Sequence, residues 1–234
     1  MTVPTDISPE QAIDALNALA DPARAADMAR YHKIQRIYLG LGNPQVDALV
    51  KDWRAVCSLE GRIALAAALW DTGIHEAMIA AAKLLTQARI RPSDEAAWQL
   101  IAGWTEGFEG WAVADHACSA GGRRLIADPA RLDHVETWTT HQNMWTRRAA
   151  LVMTLPWTRL NNPKPAEVAA RHRILGWAAG YADDRDWFIQ KAIAWWLREL
   201  SKHDADLTRD WIAQHGDRLK AFARKEALRL ISDG

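Results

Sequence analysis

The carboxylate at position 115 lies on a helical stripe that is otherwise apolar. Trp111 precedes it by four residues and Cys118 follows it by three, so all three side chains fall on one face of a helix that begins near Phe108. A carboxylate on such a face costs free energy unless it is paired or has a function. Two interpretations of Asp115 stay open: a structural ion pair with an arginine inside the helical bundle, or a functional carboxylate.

Arg148 presents the complementary case. It shares a stripe with Met144, Leu151 and Leu155, at a position where a helix usually carries an aliphatic residue. Its guanidinium group is either the partner in a buried ion pair or a fixed group that binds phosphate through two donors at once. We interpret its neighbour Arg147 as a solvated side chain.

Residues 186–203 are predicted to form one helix of four to five turns without an internal Pro or Gly. The predicted buried face consists of Ile189, Ala192, Ile193, Trp196, Leu197 and Leu200. The opposite stripe carries Lys191, Trp195, Arg198 and Lys202, which are three cations with one indole among them. This combination indicates a surface for a polyanion that carries rings or sugars.

No cofactor or metal motif accompanies these residues. Gly40-x-Gly42 lacks a preceding strand and a third glycine, so it is not predicted to hold a phosphate. The side chains of His116 and Cys118 diverge on a helix, and the two cysteines, Cys57 and Cys118, lack CxxC spacing. Neither a P-loop nor a Gly-x-Ser-x-Gly segment is present. We therefore expect no metal, no nucleotide cofactor and no other cofactor.

The elements that must position these side chains are all predicted to be helices. Ser8 and Gln11 form a predicted capping box, and Asp21-Pro22 starts a second helix. Helices are predicted at 9–20, 22–33, 45–57, 58–71, 74–89, 93–105, 108–125, 129–140, 143–156, 164–182, 186–203, 205–215 and 217–231. Residues 37–44 are predicted to be a loop, and Gly121-Gly122 is predicted to be a break.

This order of elements predicts an all-α fold. Helices joined by short connections favour antiparallel pairs stacked into an α-solenoid, or superhelix, with a concave face. No connection is long enough to link independent domains, so one domain is predicted over 1–234, with residues 1–20 as an N-terminal extension helix.

Composition limits the classes of function. Net charge is zero, which argues against a protein that coats nucleic acid non-specifically. Residues 1–130 carry 12 basic and 16 acidic side chains, whereas residues 131–234 carry 17 and 13, so one basic surface is still possible. Of the 13 Trp residues, we expect about three in four in the core.

The sequence also bears on location. It shows no apolar stretch of the roughly 18 residues that a spanning helix needs, and no basic-then-apolar signal at its start. We expect a soluble, cytoplasmic monomer without a membrane partner.

Several segments resemble the AlkD family of bacterial DNA alkylation repair glycosylases. They are Trp187 to Glu199, Trp145-Thr-Arg-Arg148-Ala-Ala-Leu151 and Trp111-x-x-x-Asp115. Met28 to Lys33, followed by Tyr38-Leu-Gly40, resembles the N-terminal signature of that family. The resemblance runs from about residue 21 to residue 231, with the motifs in the family's order. Gly110 and Ala112 depart from the pattern, because the family often has a further Trp and an acidic residue there.

The resemblance implies HEAT-like helical repeats whose concave face holds double-stranded DNA containing alkylated bases. It also implies hydrolysis of the glycosidic bond of cationic N3- and N7-alkylated purines, without a deep pocket for the base. By the same resemblance Asp115, Trp111 and Trp195 are catalytic, and Arg148 anchors the DNA backbone. The other residues expected to contact DNA are Lys191, Arg198, Lys202, Tyr31 and Lys33.

Two alternatives come from another class of function. A helical-repeat module that binds DNA or a protein partner without catalysis is favoured by the neutral charge and by Gly110 and Ala112 in the first motif. A module that binds only proteins would show no salt-sensitive DNA binding.

Overall fold

A computed structural model describes residues 5–231, and every regular element in that range is helical. The all-α prediction is confirmed. The chain divides after Ala127 into two compact units, here called unit 1 and unit 2. One domain over 1–234 remains a prediction, and its ends, residues 1–4 and 232–234, lie outside the described residues.

The described part of unit 1, residues 5–127, contains seven α-helices. They are α1 (Pro9–Asn17), α2 (Pro22–His32), α3 (Asn43–Val56), α4 (Leu59–Asp71), α5 (His75–Leu84), α6 (Glu95–Trp104) and α7 (Trp111–Ala127). Helices α3, α5 and α7 pack side by side in one layer, and α4 and α6 pack behind α5 and α7. Among consecutive helices of this unit, α4 packs on α5 and α6 packs on α7.

Unit 2, described from residue 128 to residue 231, contains six α-helices and several short 3₁₀ turns. The helices are α8 (Leu132–Thr137), α9 (Met144–Val152), α10 (Pro165–Gly180), α11 (Trp187–Ser201), α12 (Ala205–His215) and α13 (Ala221–Leu228). Helix α11 packs against α9, α12 and α13 and is the centre of this unit. All six apolar residues predicted to form its buried face are buried, which confirms that prediction.

The predicted helix starts are confirmed at three positions. The Ser8 hydroxyl accepts a hydrogen bond from the Gln11 amide at 3.3 Å, and the Gln11 side chain accepts one from the Ser8 amide at 2.9 Å. The Asp21 carboxylate accepts two amide hydrogen bonds at the start of α2, and Asp186 caps α11 by accepting from Phe188 at 2.7 Å.

A predicted break and some of the predicted helix boundaries are wrong. Gly121 and Gly122 are not a break, because both lie buried inside α7. Packing of α7 on α5 and α6 outweighs the roughly 1 kcal/mol that each Gly costs a helix. Helix α5 ends at Leu84, five residues earlier than predicted.

The aromatic core is smaller than predicted. Eight of the thirteen Trp residues are buried, namely Trp53, Trp98, Trp104, Trp138, Trp157, Trp177, Trp196 and Trp211. Trp111 and Trp187 are exposed, and the remaining three are half-buried. Within the described range, no helix combines the length and the apolar character that a membrane span requires.

Candidate functional site

The predicted site residues of α7 lie in its first two turns, and Trp111 is the first residue of that helix. Gly110 is buried directly before Trp111, and a Cβ atom at this position would lie 2.2 Å from Cδ1 of Ile34. A larger residue therefore cannot occupy position 110 unless Ile34 moves.

Trp111 is 37% exposed and packs within a group of five rings, here called the Trp111 cluster. The cluster consists of Tyr31, His32, Tyr38, His75 and Trp111. Tyr31, which is 69% exposed, meets Trp111 edge-on with ring centroids 6.3 Å apart. Two of the predicted site residues are thus brought together. Lys33 is exposed and ends α2 in the left-handed conformation, with φ of 57°.

His32 and His75 are members of the cluster that the sequence does not reveal. The His32 ring lies 5.6 Å from Trp111 and 4.7 Å from His75, and it stacks on Tyr38 at 5.7 Å. The contacts of His32 with Trp111 and His75 join positions more than forty residues apart, so no local spacing indicates them. The sequence gives a signal only for His32, which falls within the N-terminal motif together with Tyr31. His75 lies outside that motif.

Both histidines are held in the neutral form. Burial lowers the pKa of His75 to about 3, and the nearby charges of His32, Arg36 and His116 act in the same direction. Burial and the charge of Arg36 also lower the pKa of His32. Nδ1 of His75 is buried and has no hydrogen-bond partner among the described residues. The cluster therefore presents uncharged rings to Trp111 at neutral pH.

The loop between α2 and α3 is tied to α5 by one buried carboxylate. Glu76 accepts hydrogen bonds from the amides of Leu39 at 2.9 Å, Gly40 at 2.8 Å and Leu41 at 3.2 Å. Gly40 has φ of 85°, and a Cβ there would lie 2.2 Å from the carbonyl oxygen of Asp21. The residues 37–42 form a loop, as predicted, and the anion held by its amides is the protein's own Glu76.

Asp115 lies one helical turn beyond Trp111 and is half-buried. Cys118, on the same predicted stripe, is fully buried, so the stripe runs from the surface into the core. His116 follows Asp115, and burial together with the charge of Lys83 lowers its pKa, although the negative charges of Asp115 and Asp47 oppose this. The carboxylate of Asp115 thus lies on the partly open face of α7.

Arg148 in unit 2 is buried on α9, in agreement with the stripe on which it was predicted. Its guanidinium carbon lies 5.8 Å from the ring centre of Trp145, and Trp145 packs against Phe188 at 4.6 Å. The interpretation of Arg147 as solvated is wrong. Arg147 donates hydrogen bonds to two backbone carbonyls at 2.9 and 3.0 Å and pairs with Asp184 at 3.2 Å.

The polar stripe of α11 divides into two parts. Lys191 is exposed and lies 4.6 Å from the ring centre of Trp187, whereas Trp195 is half-buried. Arg198 pairs with Glu199 and Glu226, and Lys202 pairs with Glu199 at 2.8 Å.

The pKa of Glu199 reflects these pairs. Burial acts to raise it, but the hydrogen bonds and charges of Lys202 and Arg198 outweigh burial and lower it. The positive charges of Arg198 and Lys202 are therefore compensated within the helix bundle.

Metal binding has no support in residues 5–231. No three His, Cys, Asp or Glu side chains of that range lie close enough together to hold an ion.

Comparison with solved structures shows the same fold in proteins of low sequence identity. The "Predicted DNA alkylation repair enzyme from Enterococcus faecalis" is 21% identical with a TM-score of 0.76, and the match covers 92% of this chain and 98% of that one. AlkD2 from Streptococcus mutans is 17% identical with a TM-score of 0.65, covering 97% and 100%. The protein smu.31 from Streptococcus mutans UA159 is 16% identical with a TM-score of 0.62, covering 96% and 100%.

No curated protein matches the chain. The family model described as "DNA alkylation repair enzyme" matches residues 12–231, and these include α7, α9, α11 and the Trp111 cluster. Because this match spans nearly the whole chain, the protein belongs to the family of DNA alkylation repair enzymes.

Proposed function

We propose that this protein is a DNA glycosylase that hydrolyses the N-glycosidic bond of cationic N3- and N7-alkylated purines in duplex DNA. The observation that carries the proposal is the pair on α7: an exposed indole, Trp111, followed one turn later by a half-buried carboxylate, Asp115. Membership of the DNA alkylation repair family supports the same class of substrate.

The substrate chemistry needs little from the protein. A purine alkylated at N3 or N7 carries a positive charge and leaves as a neutral base when it takes the electrons of the bond to C1′. The sugar is left as an oxocarbenium-like cation, and the oxygen of water then bonds to C1′ while its proton passes to a base or to solvent. A strong general acid is not required for this departure.

Asp115 fits the remaining task. A fixed carboxylate in a partly desolvated position stabilises a developing positive charge more strongly than water does, and it accepts a hydrogen bond from the attacking water. The face of an indole attracts cationic groups such as the charged base or sugar. We assign both roles by position, with Trp111 beside Asp115 and Trp195 as the second indole that the family resemblance implies.

DNA binding is assigned to the remaining predicted residues. Arg148 and the exposed Lys191 are proposed to bind backbone phosphates, and Tyr31 and Lys33 to contact DNA beside Trp111. Arg198 and Lys202 belong to the same proposed surface, but each must loosen an ion pair with a carboxylate before it binds a phosphate.

The test is release of free base from methylated duplex DNA. We expect the protein to release 7-methylguanine or 3-methyladenine, and Asp115→Asn to lower the single-turnover rate at least tenfold, about 1.4 kcal/mol of barrier. Asp206→Asn is the matched control, because Asp206 is a solvent-exposed carboxylate on α12. Circular dichroism melting of both variants shows whether the fold is retained. Absence of release from any methylated duplex by the unaltered protein would defeat the proposal.

A second candidate function is a DNA-binding module without catalysis. The zero net charge and the altered first motif, with Gly110 and Ala112 around Trp111, favour it. A gel shift with methylated and unmethylated duplex beside the release assay distinguishes the two, because a module would shift DNA and release no base.

A further inference from the structure

A cavity of about 570 Å³ opens in unit 1 on the layer formed by α3, α5 and α7, beside the first turn of α4. Its charged and titratable lining consists of Lys51, Arg54, Arg62, Lys83, Asp47 and His116. We call it the basic cavity. None of its basic residues is among those that the sequence motifs indicate.

The concentration of positive charge is local. Residues 1–130 carry more acidic than basic side chains, 16 against 12, yet four basic residues and one carboxylate line this cavity. Gathering like charges costs free energy unless an anion compensates them. A general excess of basic residues therefore does not account for the cavity.

Two guanidinium groups converge within it. Nη2 of Arg54 lies 3.4 Å from Oε1 of Gln87, and Nη1 of Arg62 donates to the same oxygen. Nε of Arg62 donates to the carbonyl oxygen of Ser58 at 3.3 Å. Burial lowers the pKa of Arg62, and the charge of Arg54 adds to this effect. Two cations thus share one neutral acceptor, which leaves several donors for an anion.

The carboxylate in the cavity is already engaged. Nζ of Lys83 lies 2.5 Å from Oδ1 of Asp47. Among residues 5–231, neither Lys51 nor Arg54 nor Arg62 forms an ion pair with a carboxylate. Three cations therefore remain without an anionic partner in the described part of the chain.

The basic cavity adjoins the proposed reaction site on the same helix. Ser119 lines it, and Ser119 follows Asp115 by four residues, so the two share one face of α7. A helix rises about 6 Å over four residues. Successive phosphates along a DNA strand lie at a comparable spacing.

We infer that the basic cavity binds a backbone phosphate of duplex DNA within a nucleotide or two of a lesion held at Asp115. Arg54 and Arg62 supply hydrogen-bond donors of fixed geometry, and Lys51 supplies a more mobile charge. This site deepens the proposed function and rests on it for the position of the lesion.

Binding of unmodified duplex DNA at several salt concentrations tests the inference. The protein, Lys51→Ala, Arg54→Ala and the double variant are titrated by fluorescence anisotropy. Arg209→Ala serves as the control, because Arg209 is an exposed, ion-paired arginine on α12. We expect the double variant to bind about tenfold more weakly and its slope of log K against log salt to be smaller by about 0.9 per lost phosphate contact. Arg209→Ala should match the unaltered protein.

Each outcome decides the inference. An unchanged salt slope in the double variant overturns it. A second arm adds inorganic pyrophosphate and measures melting temperature. If pyrophosphate stabilises the unaltered protein but not the double variant while the duplex slope is unchanged, the cavity binds a free phosphate compound and the DNA assignment is overturned.

The release assay separates this inference from the proposed function. If the double variant has a smaller slope of log K against log salt and the unaltered protein releases no base, the glycosylase proposal is rejected and the phosphate site is supported. If the unaltered protein releases base and the double variant has an unchanged salt slope, the glycosylase proposal is supported and the phosphate site is rejected.

Discussion

At the scale of single residues, the Trp111 cluster depends on two neutral histidines. His75 is buried against His32 and Tyr38, and its Nδ1 has no partner among the described residues. A proton on His75 would place an unpaired positive charge beside Arg36. Protonation of His75 therefore destabilises the cluster that supports Trp111.

This arrangement predicts a loss of stability in mild acid. The folded pKa of His75, about 3, lies below its ordinary value of 6.5, so the unfolded chain binds the proton more readily. The contribution of neutral His75 to the free energy of unfolding is therefore present above pH 6.5 and is lost as the pH falls toward 3. The expected loss is about 2 kcal/mol between pH 6.5 and pH 5. Urea unfolding at both pH values measures it.

His75→Phe should reduce this pH dependence, because phenylalanine fills a similar space without binding a proton. His172→Phe, at an exposed position in unit 2, should leave it unchanged. If His75→Phe retains the full loss between the two pH values, the effect comes from other groups.

The sequence predicts which side chains share a helix face, but it does not predict which helices bring distant residues into contact. Helical spacing is local, so a separation of four residues predicts that Trp111 and Asp115 share one face wherever the helix lies. The contact of Gly110 with Ile34 joins positions 76 apart, and the contact of His32 with His75 joins positions 43 apart. Such contacts depend on how helices pack, so spacing along the chain does not predict them.

At the scale of elements, helix starts were predicted more accurately than helix ends. The starts at Ser8, Asp21 and Asp186 carry side chains that bond the first amides, and these residues are visible in the sequence. The ends of α5 and α9 come earlier than predicted, and the chain after α9 tightens into 3₁₀ turns. An apolar pattern continues through such turns, so it does not mark where the α-helix stops.

Helix α11 predicts a difference between two lysines on one stripe. Lys191 lies over the ring of Trp187, whereas Lys202 bonds both oxygens of Glu199 at 2.9 and 2.8 Å. A lysine already bound to a carboxylate gains less from a phosphate. We expect Lys191→Ala to weaken binding of unmodified duplex about threefold and to reduce the slope of log K against log salt by about 0.9, the value for one phosphate contact. Lys202→Ala should have a smaller effect on both quantities.

Anisotropy titrations at two salt concentrations compare these variants under the same conditions. Both substitutions remove one positive charge, so Lys202→Ala controls for net charge. Equal effects of the two would show that only overall charge matters, and the assignment of Lys191 as a phosphate contact would fail.

At the scale of the whole molecule, net charge and local charge lead to different expectations. The chain is neutral, and a neutral protein is not attracted to DNA by its overall field. Three cations in the basic cavity have no carboxylate partner among residues 5–231, and Lys191 is exposed on α11. Composition could not predict the cavity, because its charged and titratable lining residues come from α3, α4, α5 and α7 and meet only in the folded unit.

Local clusters predict salt-sensitive DNA binding in spite of zero net charge. Each phosphate neutralised by the protein releases counterions from DNA, so log K should fall linearly with log salt, with a slope of about −3 to −5 for a handful of contacts. Anisotropy titration of an unmodified duplex between low and moderate salt measures this slope. A slope near zero would mean that neither the basic cavity nor α11 contacts phosphate, and would instead favour a helical protein that binds only other proteins.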